Sequence, residues 1–395
     1  MVPKHKAIPN LPGWGMRVKI HKLFEIFLQA QAAQPRLSMV HSLAQPPCLG
    51  DFLDALDPNL RLDWSGQSFQ GLPSLREKVV QRWGYAPVCV ADDVLITAGT
   101  AEANFLAISN LLGPGDEMIV DVPGWPQPIV LAEAIGVTVK KLPRREASGW
   151  TFDFADLEQL ISPKTKLIFI CNPNNPTGQV LDEAGLLRVA EMADRVGAYV
   201  LTDEVYRAME WDNRPTPRIV TLYPRGISTG SVSKVLGLQG LRTGWMICRD
   251  RQLLFDSMVL REDTSEIMNI MGEAIADIAL EEQRFAAAVE KARRDATNNL
   301  DLIDAFIHGR SELEWTRPQA GLIGFCRLHM DIDAAELSRQ LMTSPYSTFV
   351  MPGSAYGFPQ HLRVGAGGGE SAQIAKGLAE LADFFHNWSK AEKRP

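Results

Sequence analysis

The run Leu167-Ile168-Phe169-Ile170-Cys171, followed at once by Asn172-Pro173-Asn174-Asn175-Pro176-Thr177-Gly178, decides the fold. Five apolar residues without polar alternation read as a strand covered on both faces, and a turn rich in proline and amides ends it. Downstream, 183–196 carries an amphipathic helical pattern, and 199–202 is again a short, mostly apolar run. Strand, helix, strand in that order is a βαβ unit, the crossover that parallel pairing requires. Working outward, further runs occur at 94–97, 118–122, 137–142, 227–231 and 245–248, with another helical pattern at 101–112. The expected fold class is therefore α/β. A mainly parallel seven-stranded sheet covered by helices would fill a large domain at 55–285. From about 265 to 307 the pattern reads as almost unbroken helix, with Gly309 as its stop. Strand-like 324–328 and 362–364 and a closing helix at 371–388 make a smaller α+β domain at 286–395. Residues 1–54 are expected to fold back onto that domain.

Composition narrows the function. The chain has 395 residues, enough for two or three domains, with 46% apolar and 22% charged residues, as in soluble globular proteins. A net charge of −7 without any basic block argues against a nucleic-acid partner. The apolar runs are far too short to span a membrane. The stretch 23–33 is interrupted by Glu25 and glutamines, which makes a poor signal peptide. Five scattered cysteines lack CxxC spacing, so neither a disulfide framework nor a metal site is expected. A cytoplasmic enzyme remains.

In an open parallel sheet, ligands bind beyond the carboxyl ends of the strands, and the unusual residues of this chain gather there. After 94–97 comes Ala98-Gly99-Thr100-Ala101-Glu102-Ala103, opening a helix. Gly99 permits close backbone approach and the helix dipole favours a phosphate, although the same residues also suit an ordinary helix cap with Thr100 as the capping hydroxyl. The turn 172–178 can fix the Asn175 amide toward a ligand oxygen; proline and glycine alone would also make a surface turn. Asp203-Glu204-Val205-Tyr206 follows 199–202, so Asp203 either meets a cationic ligand nitrogen or caps the next element. Ser231-Val232-Ser233-Lys234 follows 227–231, with Gly237, Gly240, Arg242 and Gly244 close behind. A lysine in a crevice loses solvation, and its amine becomes a nucleophile toward an aldehyde; in a solvated loop it would be inert.

Phosphate cradle, amide turn, strand-end acid and crevice lysine occur in that order. With them the chain resembles the class I/II family of pyridoxal-phosphate (PLP) enzymes, the aspartate-aminotransferase superfamily of fold type I. The resemblance runs from about residue 60 to the C-terminus and rests on 172–178, 203–206, 231–244 and 361–365. It implies that Lys234 forms the Schiff base with PLP and shuttles the Cα proton, and that Asp203 pairs with the protonated ring nitrogen. Asn175 and Tyr206 would bond the phenolic oxygen of the ring. Gly99, Thr100, Ala101, Ser231, Ser233 and Arg242 fall where the family holds the phosphate. Trp125, in Pro123-Gly124-Trp125-Pro126, falls where an aromatic ring stacks on the cofactor. Arg363, in His361-Leu362-Arg363-Val364-Gly365, matches the arginine that grips the substrate carboxylate. A homodimer, an amino-acid donor and a 2-oxo acid acceptor follow from the same resemblance.

The sequence departs from the family before Gly71-Leu72-Pro73. Many relatives carry there a tyrosine that reaches into the partner subunit's site, whereas this chain has Trp64-Ser65-Gly66-Gln67-Ser68-Phe69-Gln70. Gly66 occupies the tyrosine position, and Trp64 replaces it only if the loop is longer. His41-Ser42 also fits the usual substrate region poorly. A specialised substrate is expected, with elimination, replacement or cyclisation, as in aminocyclopropane-carboxylate synthase-like or capreomycidine synthase-like enzymes, as the alternative to transamination. A non-catalytic ligand-sensing module of the same fold is disfavoured, because Lys234 is present and a fused DNA-binding domain finds no room. His5, His21, His308, His329 and His386 lack metal-ligand spacing and read as surface or packing residues.

Overall fold

The computed structural model describes residues 18–63, 68–212 and 214–392. Among the described residues fourteen strands appear: β1 (Leu37–Ser38), β2 (Val94–Thr97), β3 (Glu117–Val122), β4 (Thr138–Arg145), β5 (Thr151–Phe152), β6 (Thr165–Cys171), β7 (Tyr199–Asp203), β8 (Gly226–Ser231), β9 (Gly244–Cys248), β10 (Leu313–Trp315), β11 (Ile323–Leu328), β12 (Thr348–Phe349), β13 (Met351–Pro352) and β14 (His361–Gly365). The large sheet has the order β2-β9-β8-β7-β6-β3-β4-β5. Pairing is parallel from β8 across to β4 and antiparallel around β9. All seven expected strands belong to it, and the eighth, β5, is a two-residue antiparallel addition to β4. Its residues are too few to show a period-two pattern.

The sheet interior explains its mainly parallel make-up. Leu167, Ile168, Phe169 and Ile170 of β6 are each at most 1% exposed, so both faces of the strand are covered. Helices Thr100–Leu111 and Arg251–Glu262 pack on one face and Glu183–Asp194 on the other. Cys171 is in register with Asp203, Asp203 with Thr229, and Gly244 with both Thr97 and Ser231. The residues that follow these strand ends therefore emerge along one edge.

The small sheet is antiparallel, in the order β10-β11-β14-β13. Residues of the N-terminal segment pair with this half of the chain: β1 runs parallel to β12. The long helix expected at 265–307 is two helices, Ile270–Ala279 and Glu282–His308. Leu280, fully buried, closes the first, and Glu281 caps the second. No glycine or proline marks the break, so hydropathy alone cannot reveal it. Helix Glu282–His308 is shared between two cores. Its Ala292 and Ala296 join the core under the large sheet, while Leu300, Ile303 and Ile307 join the core of the small one. A boundary at 285–286 thus falls in the first turn of a continuous helix. Among the described residues, no helix is long and apolar enough to cross a membrane.

Candidate active site

A cavity of about 550 Å³ opens at the carboxyl edge of the large sheet, between it, the small sheet and the N-terminal segment. Of the expected site residues, Thr100, Ala101, Trp125, Asn175, Asp203, Tyr206, Ser231, Ser233, Lys234, Arg242 and Arg363 line it. Gly99 lies against one wall through Arg242. Trp64 lies outside the described residues, as does His5.

At one end stands the start of helix Thr100–Leu111. Thr100 is its first residue, and the cap is Gly99, at φ 76° with no side-chain cap bond, so the capping role read for Thr100 is corrected. This leaves the Thr100 hydroxyl free to face the cavity, where it joins the first backbone N–H groups of the helix. A Cβ on Gly99 would meet Arg242 Nη2 at 2.6 Å, so only glycine lets that guanidinium close over the turn. Arg242 is fixed by bonds from Nη2 to the Ala98 carbonyl (3.2 Å) and from Nη1 to the Gln239 carbonyl (3.3 Å). Ser231 and Ser233 complete this end, Ser231 Oγ accepting from the Ser233 N–H at 3.3 Å. Amides, hydroxyls and one guanidinium form a donor set for a phosphate.

Asp203 lies deeper, at the end of β7, and is 5% exposed. Its Oδ2 accepts from Asn104 Nδ2 at 3.2 Å and its Oδ1 from the Val205 N–H at 3.2 Å. Burial pushes its pKa up to about 6, with those two bonds and then Lys234 pulling the other way. Asn104 in turn accepts from the Thr229 hydroxyl at 3.2 Å. Sequence reasoning missed Asn104, although one signal was present: an amide on the apolar face of a helix that begins at the glycine turn.

Lys234 Nζ donates to Ser42 Oγ at 3.0 Å and stands 5.5 Å from the centre of the Tyr206 ring. Burial, aided by Arg363 and opposed by Asp203, lowers its pKa to about 8. Arg363 reaches in from β14 of the small sheet, 3% exposed. Its Nη2 donates to the Val40 carbonyl (2.8 Å) and its Nη1 to Asn175 Oδ1 (3.3 Å), while its buried Nε has no partner among the described residues. Tyr356, which no motif marked, also donates to Asn175 Oδ1, at 3.2 Å. His41 and Ser42 line the cavity too, and both were noted only as poor matches to the family pattern.

PLP needs an anion cradle, an acid for a ring nitrogen, a reactive amine and an open face. The cradle that a Cβ on Gly99 would fill, the buried Asp203 and the amine of Lys234 meet those needs in one cavity, so the residues present fit the group.

The profile for aminotransferases of class I and II matches residues 65–381. Capreomycidine synthase of Streptomyces vinaceus is 28% identical over 312 residues, covering 76% of each chain. Aspartate aminotransferase of Pyrococcus horikoshii is 26% identical over 296 residues, 73% of this chain and 74% of that one. A PLP-dependent aminotransferase of Streptococcus suis superposes with a TM-score of 0.86 at 27% identity, covering 94% of this chain and 99% of the other. With four-fifths of its length inside the matched profile, this chain belongs to the class I and II aminotransferases, enzymes that work with PLP.

Proposed function

We propose that the chain transfers the amino group of an amino acid to a 2-oxo acid, with PLP held in the cavity and Lys234 as its covalent anchor. The observation that carries this is the meeting of one half-buried lysine amine with Asp203, Arg242 and Arg363 around a single cavity.

Gly99, Thr100 and Ala101 would hold the phosphate through the helix N-terminus, with Ser231, Ser233 and Arg242 as further donors. Asp203, kept in place by Asn104 and the Val205 N–H, would hold the proton of the ring nitrogen. When bound, PLP supplies an electron sink for the carbanion formed at the substrate Cα. Trp125 would cover one face of the ring and exclude water. Asn175 and Tyr206 would hold the phenolic oxygen. The Arg363 fork would grip the α-carboxylate, fixing the Cα near Lys234. Lys234 Nζ, already lowered toward neutral pH, would take the Cα proton.

The test is a half-reaction: the PLP-loaded enzyme is mixed with single amino acids and no oxo acid. One 2-oxo acid released per site, with the amino group left on the cofactor, supports transamination. Multiple turnovers without that transfer support elimination, replacement or cyclisation. The likeness to capreomycidine synthase favours this second reading.

We propose further that the chain works as a homodimer in the cytoplasm. The family resemblance supports the dimer, and five free cysteines suit a reducing compartment. Sedimentation of the loaded enzyme checks the first, and cell fractionation the second.

A further inference from the structure

The segment from Leu37 to Ala44 has almost no regular structure, yet it is fixed at every second or third residue. The Leu37 N–H donates to the Ser347 carbonyl (2.9 Å) and the Met39 N–H to the Phe349 carbonyl (2.8 Å). The Met39 carbonyl accepts from the Gly365 N–H (2.7 Å), and the His41 carbonyl from the Gly367 N–H (3.3 Å). The Ala44 N–H donates to the carbonyl of Lys234 itself, at 2.8 Å. Glycines make these approaches possible. A Cβ on Gly365 would lie 2.3 Å from the His41 carbonyl oxygen, on Gly367 2.2 Å from that of Leu43, and on Gly237 2.7 Å from that of Gln45. Both the loop after Arg363 and the loop after Lys234 have been stripped of side chains where this segment crosses them.

The crossing delivers Ser42. The residue is 7% exposed and its hydroxyl accepts from Lys234 Nζ at 3.0 Å. With the lysine nitrogen as the donor, Ser42 acts toward Lys234 as an acceptor. A neutral amine has two N–H bonds and one lone pair, so an acceptor at this position takes up an N–H and turns the lone pair away from itself.

We propose that Ser42 is a positioning residue: it orients the free amine of Lys234 so that its lone pair faces the cavity. This rests on the function proposed above. The orientation serves both events that need that lone pair. In capture of the cofactor, the lysine nitrogen attacks the aldehyde carbon. A carbon–nitrogen double bond replaces the carbonyl, and the oxygen leaves as water with the two amine hydrogens. In turnover, the same lone pair accepts the Cα proton.

The experiment measures capture of PLP by cofactor-free Ser42→Ala, Ser42→Thr and wild-type protein by stopped-flow absorbance. Equilibrium binding of pyridoxamine phosphate, which cannot bond to the lysine, is measured alongside. Ser42→Ala is expected to capture PLP about tenfold more slowly, while pyridoxamine phosphate binding is unchanged and Ser42→Thr restores the rate. Exchange of the substrate Cα hydrogen with deuterated water by the loaded enzyme should slow in parallel. Capture at the wild-type rate in Ser42→Ala would overturn the proposal. So would equal losses in PLP capture and pyridoxamine phosphate binding, which would make Ser42 part of the wall alone. If the wild-type protein itself took up no PLP, the proposed function would fall instead.

Discussion

Lys234 is the residue on which the proposed chemistry turns, and its surroundings set when it is reactive. Burial and the nearby Arg363 charge lower its pKa to about 8, against 10.5 for a free lysine. At pH 7 roughly a tenth of it is therefore neutral amine, a few hundredfold more than for an exposed lysine. Since only the neutral amine attacks, the rate of PLP capture should rise with pH and level off above about 8. Arg363→Met removes a charge that disfavours the ammonium, so the midpoint should move upward. Asp203→Asn removes one that favours it, so the midpoint should move down. Stopped-flow capture rates between pH 6 and 10 check both signs, and a midpoint near 10.5 in the wild type would refute the burial argument. Arg363→Lys should raise KM for the amino acid about tenfold to a hundredfold, because an ammonium cannot reproduce a two-point grip on a carboxylate. Lys234, Asp203 and Arg363 were legible through the order of the motifs that carry the family resemblance; taken singly, each also suits a solvated loop, a helix cap or a surface. Ser42 and Tyr356 were not. Ser42, in an irregular segment, reaches the cavity, and Tyr356, in a short 3-10 turn, reaches its wall residue Asn175, each through a contact some 180 residues or more away in the chain.

Among the elements, the two turns that carry Trp125 and Asn175 are tied together from beneath. Asn174 Nδ2 donates to Asp121 Oδ2 and to the Pro123 carbonyl, both at 3.2 Å, so the turn after β6 grips the turn after β3. Asp121 is 1% exposed and accepts from Arg144 Nε of β4 at 2.7 Å. Arg144 also donates to the Trp150 carbonyl at 3.1 Å. Removing one partner strands the other charge without water, which typically costs about 3–5 kcal/mol. Asp121→Ala should therefore lower the unfolding temperature clearly and loosen both turns, weakening PLP binding as well; calorimetry and PLP titration read the two effects. Gly99→Ala separates site from scaffold. Its added Cβ meets the Arg242 guanidinium at 2.6 Å and would strain a φ of 76°, so phosphate binding should fall about tenfold. Pyridoxal, which lacks the phosphate, should bind the variant as it binds the wild type. Six of the eight strands of the large sheet were legible to within two residues because apolar β-branched runs alternate with helical patterns, whereas β4 runs three residues beyond its expected end and β5 left no pattern. The break at Leu280 was not, since it is set by two faces packing on different neighbours and by no breaker residue.

At the scale of the molecule, the cavity joins two bodies that the sequence reads as separate domains. Asn175 rises from the large sheet and Arg363 from the small one, and they meet at 3.3 Å. Glu146, at the end of β4, pairs with Arg327 of β11 and lies 3.3 Å from His361 of β14. Helix Glu282–His308 gives its first half to one core and its second half to the other. Two cores that share a rigid helix and a buried contact should unfold together. A phosphate-anchored cofactor touches mainly the large-sheet side, whereas a substrate carboxylate would load Arg363 on the small-sheet side. Calorimetry of the cofactor-free chain should then give one transition that moves as a whole on adding PLP. Saturation at a hundred times Kd contributes about 2.7 kcal/mol, enough for a shift of a few degrees at this size. An unreactive amino-acid analogue that keeps its carboxylate should add a second shift in the loaded wild type and none in Arg363→Met. Two transitions, with PLP moving only one, would mean that the shared helix does not couple the cores and that each body carries its half of the site independently.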